Sequence, residues 1–97
     1  MRIIAKKTLR EFWLKQPDSE IQLRTWYQEA SKSNWFSPND IKSKYPKASI
    51  LKSGRVVFNI SGNKYRLIVR INYLRKCVFV RFIGTHEEYD QINADKV

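Results

Sequence analysis

The sequence is poor in the residues from which many catalytic and structural sites are built. Among 97 residues there is one cysteine, Cys77, one histidine, His86, and three glycines. A single thiol excludes an intramolecular disulfide and suits a reducing cytosol; within a strand-like run it reads as a small hydrophobe. One histidine and one cysteine cannot make a zinc site, and the acids are scattered or bunched at 87–90, so no metal site and no cofactor are expected. No glycine-rich phosphate loop is present, because SGN at 61–63 is too short and lies between two strand-like runs. Charges break every apolar run before it reaches membrane-spanning length, and MRIIAKKTLREFW does not read as a signal peptide. A cytoplasmic protein with no membrane partner is expected.

The most informative shortage is of acid. Lysine and arginine number 19 against 9 aspartates and glutamates, a formal net charge of +10. From Ile41 to His86 there are eleven basic residues and no acidic one. Solubility alone favours interspersed signs. A one-signed stretch of this length points to a polyanionic partner, nucleic acid or an acidic protein.

The chain has the length of one small domain, 1–97, and its 42% hydrophobic content is ample for a core. MRIIA reads as a short opening strand. Leu9, Phe12 and Trp13 form a helical stripe that Pro17 ends. A second helix follows, capped by Asp18 or Ser19 with Gln22 completing a weak capping box, and Leu23, Trp26, Tyr27 and Ala30 supply its apolar face. Residues 31–49 are irregular apart from a helical turn at Asn39 to Lys44, with Trp35, Phe36 and Tyr45 expected to pin the segment to the core.

RVVFNI, KYRLIVRINY and CVFVRFIG are three strand-like runs joined by short turns at SGN and LRK, hence antiparallel hairpins. A last helix is expected from Thr85 or His86 to about Ala94. Placing Val56, Phe58 and Ile60 on one face with Leu67, Val69 and Ile71, and with Val78, Val80 and Phe82, sets the parity of both pairings. The opposite face then carries Arg55, Asn59, Arg66, Arg70 and Arg81. Four-residue turns would align Arg55, Arg70 and Arg81 in a row and set Asn59 opposite Arg66. Like charges so placed destabilise a sheet unless an anion sits between them. Val57, Ile68, Phe79 and Ile83 share that face, so part of it needs a cover.

Metal-free RNA cleavage is the chemistry this residue set can serve. A ribose 2′-OH attacks the adjacent phosphorus, which calls for a base, an acid for the leaving 5′-oxygen, and cations for the phosphorane. Imidazole titrates near neutrality, so His86 suits either proton-transfer role, and Tyr89 three residues on would share its helical face. Arg66 and Arg81 can grip phosphate, and Lys52 and Lys64 can guide the backbone. Cys77 cannot pair with His86, since nine extended residues separate them by about 30 Å. For His86, a helix-start role, a packing role and a catalytic role are all open at this level.

VFNISGNKYRLIVRINY at 57–73, followed by VRFIGTHEEYDQIN at 80–93, resembles the paired signature of HigB-type toxins in the RelE-like superfamily of mRNA interferases. The resemblance spans nearly the whole chain. It implies an α+β fold in which two N-terminal helices pack on a mainly antiparallel sheet, with a short C-terminal helix. It also implies a metal-independent endoribonuclease that cuts mRNA, usually on the ribosome. A HigA-like helix-turn-helix antitoxin would hold it inactive and carry the complex to operator DNA. Residue by residue, Arg66 matches the arginine that stabilises the phosphorane, and His86 and Tyr89 match the proton-transfer motif. Lys52, Arg55, Asn59, Lys64, Arg70 and Arg81 are the expected RNA contacts. The alternative is a non-catalytic RNA-binding module with the arginine row as its phosphate track. A third reading is a domain that recognises only an acidic protein.

Overall fold

The computed structural model describes residues 1–97. In chain order the elements are β1 (Arg2–Ile4), α1 (Lys6–Lys15), a 3-10 turn at Pro17–Ser19, α2 (Glu20–Lys32), α3 (Pro38–Lys44), β2 (Ser49–Ile50), β3 (Arg55–Ile60), β4 (Tyr65–Asn72), β5 (Cys77–Thr85) and α4 (His86–Asp90). The five strands form one sheet in the order β1-β5-β4-β3-β2. Only β1 runs parallel to its neighbour; the remaining pairs are antiparallel, as consecutive hairpins require. The α+β expectation therefore holds, with β2 and a fuller α3 added to it.

One face of the sheet carries the core. Leu9 and Trp13 of α1, Leu23, Trp26 and Ala30 of α2, and Ile41 of α3 pack against alternate residues of β3, β4 and β5. Phe58 is the hub, with the rings of Trp26, Trp35 and Tyr45 at 5.4, 6.5 and 5.1 Å from its own. Trp35 is thus a core residue, as expected. Phe36 departs from expectation. It is exposed, and the Lys76 ammonium lies 3.3 Å from its ring centroid. At the start of α3, Asp40 accepts hydrogen bonds from the Phe36 and Ser37 amides, and Pro38 takes the first helical position, where no amide is needed.

The entry to α2 is built differently from the capping box expected there. Ser19 turns its hydroxyl back to the Gln16 carbonyl, and Gln22 instead accepts the backbone amide of Ser61. Asp18 is drawn to the sheet by Tyr65, whose hydroxyl donates to it at 2.6 Å, and by Lys64. Tertiary partners outbid the local cap because Tyr65 is buried and its hydroxyl needs an acceptor.

The β3–β4 register is as expected, with Ile60 opposite Tyr65, Asn59 opposite Arg66 and Arg55 opposite Arg70. The β4–β5 register is not. A four-residue turn would set Tyr73 opposite Val78; instead Asn72 closes the hairpin opposite Cys77, because its side chain accepts the Arg75 amide and Lys76 adopts a left-handed conformation at φ 56°. Arg70 therefore faces Phe79 and not Arg81. A bulge opposite Ile68 and Val69 then takes up Arg81 and shifts the register by one. Beyond it Phe82 lies opposite Ile68 and Ile83 opposite Leu67, so Ile83 packs on the core and Phe82 changes face, the reverse of expectation.

Val57 and Ile68 are buried although they lie outside the main core, on the face away from α1–α3. Their cover comes from the C-terminal part of the chain. The last helix ends at Asp90, four residues earlier than expected, and residues 91–97 continue over the sheet. Asp95 accepts from Ser53, and the Val97 carbonyl oxygen accepts from Arg55 at 2.9 Å and Arg81 at 3.2 Å. Two arginines of the anticipated row are thus relieved by a single oxygen of the same chain.

Candidate active site

The local structure around His86 follows from four consecutive side chains. Thr85 has extended geometry and caps α4: its hydroxyl accepts the Glu88 amide at 3.1 Å, while Glu88 accepts the Thr85 amide at 2.8 Å. This reciprocal T-x-x-E pair satisfies two otherwise orphaned donors and starts the helix at His86. Glu87 and Glu88 also place negative charge at the positive end of the helix. The His86 amide donates to the Lys64 carbonyl at 3.1 Å, extending the β4–β5 ladder by one bond and tying the helix start to the head of β4.

Gly84 faces Arg66 across that ladder. A Cβ at position 84 would lie 2.6 Å from Cζ of Phe82 and 3.1 Å from Oε1 of Glu88. Glycine is needed here because the Phe82 ring and the capping carboxylate already occupy the space a side chain would take.

His86 and Asp90 lie one helical turn apart, with Nδ1 and Oδ2 separated by 3.1 Å. A carboxylate oxygen facing Nδ1 suits an Nδ1 hydrogen-bond donor and leaves Nε2 turned away from Asp90. Asp90, the last residue of the helix, orients the imidazole. The His86 side chain is 49% exposed, open to a substrate. Tyr89 stands on the same helical face, and the Arg66 guanidinium lies 5.7 Å from its ring centroid. Arg66 also donates to the Asn63 carbonyl at 3.1 Å, which fixes it against the β3–β4 turn. Arg66 therefore meets Tyr89, on the helix that begins with His86, at one end of the sheet. They are assembled from β4 and α4, with only the β5 hairpin between them.

The other six residues singled out as RNA contacts are spread more widely. Asn59 lies beside Arg66 on the adjoining strand, and Arg70 faces Arg55 further along the same surface. Arg55 and Arg81 hold the Val97 carbonyl. Lys52 is exposed in the loop before β3. Lys64 sits in the β3–β4 turn, where its ammonium pairs with Asp18. That contact, joined by the Tyr65 hydroxyl, holds the Asp18 carboxyl below its ordinary range. It raises Lys64 in turn, and the Asp18 bond likewise raises Tyr65. No three histidine, cysteine or acidic side chains converge anywhere in the chain. The site's resources are one imidazole, one phenol and a set of guanidinium groups.

Sequence reasoning missed the capping pair Thr85 and Glu88, legible as a T-x-x-E box, and the segment 91–97, which carries no local signal of its destination. From sequence, Asp90 reads as an orienter of His86 or, the favoured reading, as the start of the last helix; the structure shows the first.

Residues 19–92 match the family described as HigB_toxin, RelE-like toxic component of a toxin-antitoxin system. Among curated relatives, the mRNA interferase HigB of Escherichia coli O6:H1 is 29% identical over 94 residues, covering 95% of this chain and 91% of the relative. The mRNA interferase HigB of Shigella flexneri is 26% identical over 96 residues, covering 97% of this chain and 92% of its own. The matched region takes in β3, β4, β5 and α4, the elements that build the site.

Proposed function

The chain belongs to the HigB family of RelE-like toxins, and from that premise we propose that it is an mRNA interferase in which Arg66, His86 and Tyr89 carry the chemistry. Residues 1–97 act as a single toxin domain. The observation that carries the assignment of roles is the contact of Arg66 with Tyr89 on the short helix that also bears His86 and its partner Asp90.

In the reaction a ribose 2′-oxygen attacks the adjacent phosphorus and the 5′-oxygen leaves, giving a 2′,3′-cyclic phosphate and a 5′-hydroxyl. His86 Nε2, freed by the hold of Asp90 on Nδ1, exchanges a proton with the reacting oxygens. Arg66, always charged and steadied by Tyr89 and Asn63, faces the non-bridging oxygens as negative charge builds on the phosphorane. The Tyr89 hydroxyl serves the second proton transfer. No step calls on a metal ion.

The substrate is mRNA, with Lys52, Arg55, Asn59, Lys64, Arg70 and Arg81 guiding RNA along the cationic face, and cleavage takes place on translating ribosomes in the cytoplasm. No helix is long and apolar enough to cross a membrane. A cognate antitoxin, HigA-like and bearing a helix-turn-helix domain, holds the toxin inactive, and operator DNA is reached only through that complex. Charge supports this reading, since one basic surface suits mRNA, rRNA and an acidic antitoxin segment.

The test is primer extension on a defined mRNA in reconstituted translation, using wild type, Arg66→Ala and His86→Ala with and without ribosomes. New 5′ ends that require ribosomes and vanish in both variants are expected. Naked RNA cut in EDTA would keep the nuclease and remove the ribosome requirement. Tight RNA binding with no cleavage under any condition would make the protein a binding module.

A further inference from the structure

The β4–β5 register has a consequence at the end of the sheet remote from His86. Arg70, four residues along β4 from Arg66 and so about 13 Å away, is opposite Arg55 on one side and Phe79 on the other. The anticipated row of three arginines is in fact Arg55, Arg70, Phe79, with Arg81 two residues from Phe79 along β5. An aromatic ring thus replaces a like charge and is framed by guanidinium groups on the same face. Phe79 is half-buried, stands outside the core cluster, and has no arginine or lysine over its ring.

Arg70, Asn72, Leu74, Phe79 and Arg81 help line a concavity of about 570 Å³, within the range of small-molecule and cofactor pockets. Arg70 has no hydrogen-bond or ion-pair partner, and Arg81 spends only its Nε, on Val97. Leu74, at the hairpin tip, is 92% exposed. No acid lies between positions 41 and 86, and the acceptors that the C-terminal segment brings, Asp95 and the Val97 oxygen, bond to Ser53, Arg55 and Arg81 and leave Arg70 free. An aromatic face set among cations is how proteins hold single-stranded nucleic acid: bases stack on the ring and phosphates take the charge.

We infer that this concavity is a base-stacking subsite for single-stranded RNA, with Phe79 as the platform and Arg70 and Arg81 as phosphate grips. It rests on the RNA-cleaving reading and deepens it. The subsite holds a nucleotide about 13 Å along β4 from Arg66, on the far side of the C-terminal segment that covers Ile68, and so gives RNA a second anchor away from the cleavage centre.

The test compares a 2′-O-methyl oligoadenylate, which lacks the attacking hydroxyl, with an abasic oligomer of equal length and phosphate number. Binding by wild type, Phe79→Ala, Phe79→Trp and Arg70→Ala is measured over a range of salt. Phe79→Ala is expected to weaken the base-bearing ligand about 5- to 150-fold. It should leave the abasic ligand and the salt slope unchanged, while Phe79→Trp restores affinity. Arg70→Ala should weaken both ligands and lower the slope of log affinity against log salt by about 0.7. Unfolding midpoints check that each variant folds.

Equal binding of the two ligands by wild type, or a Phe79→Ala loss that is the same for both, would overturn the inference. So would a polyglutamate peptide bound as tightly as RNA, which would mark the face as a protein-docking surface. If wild type cuts mRNA on ribosomes yet binds neither oligomer, the subsite is refuted and the interferase reading stands. If it neither cuts nor binds RNA, both fall.

Discussion

Replacing Thr85 by alanine removes one hydroxyl and probes the whole placement of the site. Helix α4 has five residues and buries none of them fully. A helix this short has no intrinsic stability in water, so it stands on a few local contacts. These are the Thr85–Glu88 capping box, the bond from the His86 amide to the Lys64 carbonyl, and the Arg66–Tyr89 contact. The exposed cation–π contact is worth about 0.5–1 kcal/mol. Loss of a threonine cap costs about 0.5–2 kcal/mol, typically near 1. The cap is therefore a large share of what holds His86 and Tyr89 beside Arg66. A cost of about 1 kcal/mol lowers the population of the formed helix relative to the open one about fivefold. Thr85→Ala should reduce kcat for RNA cleavage by about 2- to 30-fold if the open form is inactive and becomes dominant. It should change KM little, and Tm should fall about 4–8 °C per kcal/mol lost. Thr85→Ser keeps the hydroxyl and should recover most of both. The assay is steady-state cleavage alongside thermal unfolding. A kcat within twofold of wild type, with Tm lowered as expected, would refute the claim that the cap positions the catalytic groups. Equal loss in Thr85→Ser would show that the methyl group, not the hydrogen bond, matters.

Three further outcomes are expected. Tyr89→Phe keeps the ring beneath Arg66 and removes only the phenol, so kcat should fall at least tenfold, with Tm within about 2 °C of wild type; full activity would reduce Tyr89 to a seat for Arg66. Asp18 has a folded pKa below its unfolded value, so its stabilisation is present above about pH 4 and lost as pH falls through the folded value. Urea unfolding from pH 7 to pH 2 should accordingly show an acid loss of stability that is shallower in Asp18→Asn, and identical curves would remove Asp18 from the account. Phe58, 2% exposed and touching three other aromatic rings, should cost about 3–5 kcal/mol on truncation to alanine. That is a large part of the roughly 5–15 kcal/mol available to a chain of this length, so its urea midpoint should drop sharply; a loss below about 1 kcal/mol would show that Phe58 is not the hub of the core.

Much of this protein was legible from residue order alone. Period-two alternation identified β3, β4 and β5, and the short SGN turn gave the correct β3–β4 pairing, Asn59 beside Arg66 included. T-H-x-E-Y-D marked the turn that the structure sets against Arg66. These features are local: they rest on side-chain spacing along one strand or within one helical turn. What tertiary structure decided are relations between distant segments. Parity cannot distinguish registers that differ by two residues, so the side chain of Asn72 and the bulge at Arg81 chose which residue Arg70 faces. Asp18 was drawn from its helix cap by Lys64 and Tyr65, 46 and 47 residues away. The segment 91–97 reached Arg55 and Arg81 because a cationic, partly apolar sheet face needed both a cover and an acceptor. Local periodicity sets which face a residue belongs to; burial and unmet hydrogen bonds set what it meets there.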